Sequence, residues 1–328
     1  MERVATSRIN VSQSPYDLTT FLGRLKHFAW VTDPRLTFVS TKELEASKDL
    51  LQKYKRGEED PTITQAQVRR AQQLYLSAYH PDSGELQNVC GRMSFQMPGG
   101  MVLIGAMITF YKSNSAVIFW QWANQSFNAL VNYTNSNATT EVNTKRLATA
   151  YVSATSSALI VALGLKKYLS TRASPLLQRF VPFAAVAAAN AVNIPLMRQS
   201  ELIEGVTLTD ENGNDVIKSQ YAAIKGISQV LAARICIAAP SMTVLPTFME
   251  RLEKTRLLRR YTWLGGVCQV TFSGLFLLFT VPAGCAIFPQ KCSIPSEKLG
   301  LLDHQRVEEL RAAGKITLPD TLYFNKGL

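Results

Sequence analysis

Five long apolar blocks constrain the fold of this chain most. Four of them are long enough to cross a bilayer core of about 30 Å, which takes about 20 helical residues. The first is shorter, so it must tilt, thin the membrane or be completed by its neighbours. Because unpaired backbone groups are too costly in lipid, the blocks predict an all-α, polytopic transmembrane bundle of about five spans. The blocks are residues 97–111, 147–165, 180–197, 224–249 and 263–288.

The blocks divide the chain into three parts. The sequence of residues 1–96 predicts a small, soluble, helical region with a surface that can bind protein partners. Residues 97–289 form the bundle, and residues 290–328 form a C-terminal tail. The composition agrees with a membrane protein, because 47% of the residues are hydrophobic and only 18% are charged, whereas roughly 25% charged residues is usual in soluble domains.

Two capping boxes predict helices in the N-terminal region. Ser40 with Glu43 starts the first, and Thr62 with Gln65 starts the second. We expect these helices to end at about Arg56 and Tyr79.

The stretch WQWANQSFNALVNYTNSN, at residues 120–137, is rich in amides. An unpartnered buried amide costs roughly 2 to 7 kcal/mol, so inside a bilayer such a row needs other helices, water or a substrate. A helix over 115–135 therefore has two possible locations. It is either embedded in the bundle, where its amides join helices or line a polar cavity, or it lies at the membrane interface with its amide face in water. On a helix the amides of one face share a sector of roughly 80°; they are Gln121, Asn124, Asn128, Asn132 and Asn135.

The block at 180–197 combines amides with a helix breaker. Asn190 and Asn193 lie one turn or less before Pro195, whose ring removes a backbone hydrogen bond and frees a carbonyl. This combination resembles the broken helices of transporters, whose exposed backbone contacts the solute. The alternative is a proline kink near the helix end with amides that cap their neighbours.

One arginine, Arg234, lies within a span, and Pro240 follows it in the same block. An arginine at the bilayer centre costs about 2.5 to 3.5 kcal/mol, so we expect it to face the bundle interior or water. The blocks contain no acidic residue, so its counter-charge must come from a span edge, such as Glu201 or Glu250, or from the cargo. Arg234 is therefore a candidate for binding a substrate carboxylate, with a structural pair or a carbonyl cap as the alternative. Arg198 is a second candidate, although it can also snorkel to the interface.

The net charge of +11 also bears on orientation. With five spans, lysine and arginine are more numerous on the side of the N-terminus, which predicts that this side faces the matrix or cytoplasm. A sixth span would place both termini on one side.

Motifs for catalysis and for metal binding are missing from the sequence. His27, His80 and His304 are widely spaced outside the blocks, and the five cysteines form no CxxC pair. No G-x-S-x-G, H-E-x-x-H or P-loop motif occurs, and the cations are not interleaved with aromatic residues. We therefore expect no enzyme activity, metal site, cofactor or nucleic-acid partner.

Several segments together resemble the sideroflexins, a family of mitochondrial inner-membrane proteins with five predicted spans. The resemblance implies a multi-pass protein of that membrane that transports small neutral amino acids, serine foremost, to supply one-carbon metabolism. Some paralogues are instead linked to iron, haem or cluster homeostasis, and the resemblance does not distinguish the paralogue. It rests on TDPR at 32–35, HPDSGE at 80–85, GRMSFQMPGG at 91–100, FWQWANQSFNALVNYTN at 119–135, VPFAAVAAANAVNIPLMR at 181–198 and the terminal YFNKGL.

The residues thus predict a carrier for a small zwitterion within a lipid bilayer. The amide row binds its hydroxyl and ammonium groups, Arg234 binds its carboxylate, and Pro195 and Pro240 let the helices flex. A tricarboxylate carrier would need several cations facing the cavity. A scaffold or iron-handling protein would use the N-terminal region and the tail as docking surfaces.

Overall fold

A computed structural model gives the architecture of the chain. The fold consists of a helical N-terminal region, a helical bundle and a small sheet. The structure describes residues 8–80, 83–111, 113–134, 144–170, 178–301, 303–304, 306–308 and 319–326.

Three helices form the N-terminal region: α1 (Phe21–Val31), α2 (Thr41–Arg56) and α3 (Gln65–Ala78). The hydroxyl of Ser40 accepts the backbone N–H of Glu43, as the first capping box predicts. The second box was predicted two residues too early, because Thr64 and Gln67 form it. Thr62 is instead held in a turn, where its N–H donates to the carboxylate of Asp60 at 2.9 Å.

The described part of the chain contains six long bundle helices: α4 (Gln96–Phe110), α5 (Asn114–Thr134), α6 (Thr144–Ser170), α7 (Val181–Met197), α8 (Gln220–Leu252) and α9 (Trp263–Ile287). Of these, α6, α8 and α9, and α4 with the turn before it, are long and apolar enough to cross a bilayer. Helix α7 is shorter but also apolar. The predicted all-α transmembrane bundle is confirmed, and each of the five apolar blocks forms a helix.

Contacts between helix ends show that neighbouring helices run in opposite directions. At one end of the bundle, the hydroxyl of Thr109 near the end of α4 donates to Gln269 near the start of α9 at 2.5 Å. At the same end, the ammonium of Lys166 on α6 donates to Asn114 at the start of α5 at 3.0 Å. We call this end the opposite face, and the end that contacts the N-terminal region the N-terminal face.

Helix α5 is long enough to form a sixth crossing. It has 21 residues, so it is about 31 Å long, close to the thickness of a bilayer core. It starts at the opposite face, and Thr134 at its end accepts a hydrogen bond from Asn88, just before α4, at 2.7 Å. Helices α4 and α5 therefore form a hairpin that returns to the N-terminal face. If both cross a bilayer, the five-span charge count gives way to a six-span one, with both termini on one side.

A four-stranded antiparallel sheet, which the sequence analysis did not predict, lies at the N-terminal face. Its strands are β1 (Val206–Thr209), β2 (Asp215–Ser219), β3 (Lys291–Pro295) and β4 (Thr321–Asn325), in the order β2-β1-β4-β3. The sheet joins the connection between α7 and α8 to the C-terminal segment. Leu208, Ile294 and Leu322 are buried in its small core.

Candidate functional site

Helix α5 has an inverted amphipathic character. Large apolar side chains such as Phe119 and Trp122 are exposed, whereas Gln121 and Gln125 are buried. In a soluble protein the apolar face of a helix turns inwards, so the opposite arrangement indicates that the apolar face meets lipid. The amide face therefore points into the bundle, which agrees with the embedded alternative rather than with a wet interfacial helix.

Three amide side chains on this inner face carry polar atoms without partners. Gln121, Asn124 and Gln125 are 0%, 8% and 3% exposed. Within the described residues, no hydrogen bond reaches Oε1 of Gln121, Nδ2 of Asn124 or Nε2 of Gln125. The other end of the Gln121 amide donates to the hydroxyl of Tyr111 at 2.7 Å. We call Gln121, Asn124 and Gln125 the amide trio.

Gln125 was missing from the predicted site. It lies about 40° from Gln121 around the helix, just beyond the sector that defined the row, so a slightly wider sector would have included it. Asn128 is half-buried on the same side of α5. Asn132 belongs to α5, but its side chain, like the whole of Asn135, lies outside the described residues.

The two asparagines of α7 are also buried, at 7% exposed for Asn190 and 5% for Asn193. Val117 of α5 packs in one cluster with Val181 and Ala185 of α7. Asn193 follows Ala185 by eight residues and is about 80° further around the helix, so it lies beside the stripe of this cluster and close to that of Val186. The amide trio continues from Val117 in the same direction along α5.

Asn190 lies on the neighbouring stripe of α7. It follows Val186 by one turn, and Val186 packs against residues of α4, α8 and α9. The start of α7 is at the opposite face, since Arg179 donates to Glu253 beyond the end of α8 at 3.0 Å. Asn124 and Asn190 are therefore both about 15 Å from that face, near the middle of the bundle.

The helices continue through both predicted breaks. Helix α7 includes Pro195, and α8 includes Pro240. A proline leaves carbonyls of the preceding turn without their usual donor. Pro240 removes the donor to the Cys236 carbonyl and disturbs the turn that also contains the Ile237 carbonyl. The hydroxyl of Thr280 on α9 donates to the Ile237 carbonyl at 3.0 Å, so a neighbouring helix supports the disturbed turn. Pro240 thus sits at a contact between helices.

Arg234, which the sequence places within a span, lies beside the end of α9 rather than level with the amides of α5. Gly284 lies three residues before the end of α9, and a Cβ atom added to it would be 3.3 Å from the carbonyl oxygen of Ala233. Arg234 also interacts electrostatically with Cys285 and with Arg198, the residue after α7. It is therefore level with the last turns of α7 and α9 at the N-terminal face. Helix α8 has 33 residues and is about 50 Å long. Its first turns therefore extend past the ends of α7 and α9, and hydropathy alone does not reveal this extension.

The two acidic residues predicted as counter-charges have other partners. Glu201 accepts from Arg198 at 2.5 Å, and Glu250 lies 3.4 Å from Lys254. Glu250 is also about 24 Å further along α8 than Arg234.

Further cations surround the same end of the bundle. The guanidinium of Arg198 donates to the carbonyl of Lys326 at 2.7 Å, and the ammonium of Lys326 donates to the carbonyl of Phe288 at 3.1 Å. Burial lowers the pKa of Lys326. Arg24 donates to the carbonyl of Ala286 at 2.8 Å. Lys326 and Arg24 thus bind carbonyls at the end of α9, where the helix dipole favours positive charge.

The arrangement separates two kinds of polar group. Neutral amides lie in the middle of the bundle, and Arg234 lies with other cations at the N-terminal face. The structure therefore brings the amide trio together and places Asn190 and Asn193 at similar depth, but it does not bring Arg234 to them. Among the described residues, no three histidine, cysteine or acidic side chains are grouped as a metal site requires.

Comparison with known proteins identifies the family. The family model of the sideroflexins matches residues 10–328. The chain is 50% identical to Sideroflexin-2 of Drosophila melanogaster over 328 residues, which cover 100% of both chains. It is 48% identical to Sideroflexin-2 and to Sideroflexin-3 of Homo sapiens, each over 322 residues and 98% of both chains. No solved structure matches the chain. The chain therefore belongs to the sideroflexin family, as the sequence motifs indicated.

Proposed function

We propose that the protein is a multi-pass carrier of the mitochondrial inner membrane that transports serine and similar small neutral amino acids for one-carbon metabolism. Its membership of the sideroflexin family supports this function, together with six membrane-crossing helices. The observation that carries the proposal is the amide trio, whose buried polar atoms have no described partner. Such groups are costly inside a membrane protein unless water or a solute binds them.

The chemistry of the trio suits a neutral zwitterion. The Gln121 oxygen accepts a hydrogen bond from the cargo ammonium, and the Asn124 and Gln125 nitrogens donate to its hydroxyl. Asn128, Asn190 and Asn193 extend this polar lining. No cofactor is needed for this kind of binding.

Arg234 acts at the N-terminal face rather than beside the trio. Together with Arg198, it attracts the cargo carboxylate as the cargo enters or leaves the bundle. Pro195 and Pro240 weaken the backbone of α7 and α8, which lets these helices bend as the cargo passes.

Serine uptake into liposomes tests the proposal. The full chain is reconstituted, and uptake of labelled serine is compared with that of empty vesicles. Uptake above the empty vesicles is expected, and its absence would remove the transport function. Arg234→Gln is expected to weaken uptake without loss of folded protein, and unchanged uptake would exclude Arg234 from the path.

Excess unlabelled solutes distinguish the alternatives. Unlabelled alanine is expected to compete with serine, whereas citrate is not. Competition by citrate alone would instead support a tricarboxylate carrier, for which the cations at the N-terminal face provide a rationale. A protein that moves neither solute would have a non-transport role, such as one in iron or haem homeostasis.

A further inference from the structure

Helix α1 exposes apolar side chains and buries a charged one. Phe21 and Leu22 are 49% and 58% exposed, and Leu18, just before the helix, is 41% exposed. Arg24 is only 8% exposed. Phe21 and Leu22 are neighbours in the first turn of the helix, and Leu18 lies in the turn just before it, so the three exposed apolar side chains are grouped at the start of α1. A helix on the surface of a soluble domain shows the reverse pattern.

The position of α1 explains why Arg24 is buried. Its Nε donates to the carbonyl of Ala286 in the last turn of α9 at 2.8 Å, and its Nη1 donates to the carbonyl of Thr19 at 2.8 Å. Arg24 thus caps a membrane helix and fixes α1 against it. Helix α1 is therefore held at the level where α9 leaves the bilayer.

The exposed side of α1 lies next to the surface of the bundle that faces lipid. Ile287, adjacent to the carbonyl that Arg24 binds, is exposed, and Phe279 two turns earlier on α9 is 65% exposed. Lys26 is exposed one turn after Leu22, where a long side chain can extend to lipid headgroups. The apolar patch of α1 thus lies at the same end of the bundle as exposed apolar side chains of α9.

We propose that α1 is an interfacial helix whose apolar patch, Leu18, Phe21 and Leu22, inserts into the bilayer at the N-terminal face. The partner is the phospholipid surface itself, at the boundary between headgroups and acyl chains. The region before α4 is then partly a membrane-bound element rather than wholly soluble. This inference does not depend on what the protein transports.

Photocrosslinking of the full chain in phosphatidylcholine vesicles tests the proposal. A benzophenone amino acid replaces Leu22 in one variant and Lys42, on the exposed side of α2, in a matched control. Irradiation is expected to attach phospholipid to the first variant at a yield several-fold above the control. A yield no higher than the control, or a crosslink from position 22 to a second copy of the chain, would overturn it.

A second measurement tests the proposal without the crosslinker variants, in case these variants fail to fold. The double variant Phe21→Gln, Leu22→Gln keeps Arg24, so its thermal unfolding in detergent should match that of the unchanged protein. In vesicles, amide hydrogen exchange of residues 18–29 should be faster than in the unchanged protein, because the anchor is lost. Equal exchange in vesicles would show that lipid does not hold this helix.

Discussion

Gly105 on α4 lies so close to Val270 on α9 that a methyl group at Gly105 would come within 2.6 Å of the Val270 Cα atom. Gly105→Ala therefore forces the two helices apart. We expect a loss of about 1 to 3 kcal/mol in the free energy of unfolding, the usual cost of overpacking. Thermal unfolding of the purified protein measures this change.

Gly265 provides a matched control for Gly105. It also lies on α9, but no described atom would be within 4 Å of its added methyl group. Gly265→Ala should be neutral or stabilise the protein by up to about 1 kcal/mol, since alanine is the better helix former. Equal losses in both variants would show that the close approach of α4 and α9 is not the cause.

The Thr280–Ile237 hydrogen bond should depend on Pro240. Thr280→Val is expected to cost about 0.6 to 1 kcal/mol of stability, as for other hydrogen bonds between membrane helices. The ring of Pro240 clashes with the carbonyl of Cys236 and opens the preceding turn, which weakens the bond from the Ser241 N–H to the Ile237 carbonyl. Pro240→Ala closes this turn, so the Ile237 carbonyl relies less on Thr280. A double-mutant cycle measured by thermal unfolding should therefore show a smaller Thr280→Val effect in the Pro240→Ala background. The same effect in both backgrounds would contradict the compensating role.

The amide trio should contribute to transport rather than to stability. Gln125→Leu removes a buried amide nitrogen without a described partner, so the melting temperature should stay the same or rise. Serine uptake by the folded protein should fall. A lower melting temperature with full uptake would instead assign Gln125 a structural role.

Ser126 is the matched control for Gln125, because its hydroxyl lies 2.9 Å from the Tyr151 hydroxyl on α6. Ser126→Ala should cost about 1 kcal/mol of stability. Uptake normalised to the amount of folded protein should remain unchanged.

Six crossings predict which surface positions share a compartment. A membrane-impermeant maleimide should label Lys42→Cys and Glu211→Cys from one side of the membrane, and Arg256→Cys from the other side only. The unsubstituted protein gives the background from the native cysteines. Labelling of Lys42→Cys and Glu211→Cys from different sides would mean that α5 does not cross.

The docking of α1 should weaken in mild acid. Burial lowers the pKa of His27 from its ordinary value of 6.5, and the Ser14 hydroxyl lies 3.0 Å from its Nδ1. The unfolded segment therefore binds a proton near pH 6.5, before the folded one does, so stability falls as the pH drops below that value. Hydrogen exchange of α1 should speed up between pH 7.5 and pH 5.5, about the range of this titration. Exchange rates are first corrected for their intrinsic pH dependence. In His27→Gln the remaining acceleration of α1 exchange at low pH should then be absent. If it persists, His27 is not the group responsible.

The sequence predicted the bundle well because each span is a continuous apolar block. It could not fix the number of crossings, since α5 combines buried amides such as Gln121 with exposed aromatic residues such as Trp122, and mean hydropathy averages the two faces. The angular sector of the amides nevertheless predicted which side of α5 turns inwards. Whether α5 is embedded or interfacial stayed open, because an amide face suits water and a bundle interior equally well.

The depth of Arg234 and the pairing of distant strands could not be predicted from the sequence for a different reason. The level of Arg234 depends on where α9 ends beside α8, which is a contact between distant segments. The sheet likewise pairs Thr209 with Tyr323, and no local pattern relates two short strands so far apart. The inward position of Arg24 was hidden because its partner is a backbone carbonyl.

The pairing of β1 with β4 also sets an order of assembly. During biosynthesis the first of these strands emerges before α8 and α9 exist, and its partner follows only after both helices have been synthesised. The sheet can therefore close only once the last hairpin has been inserted, and it then ties the connection between α7 and α8 to the segment that follows α9. Resistance of this sheet to protease would accordingly report that insertion of the whole chain is complete.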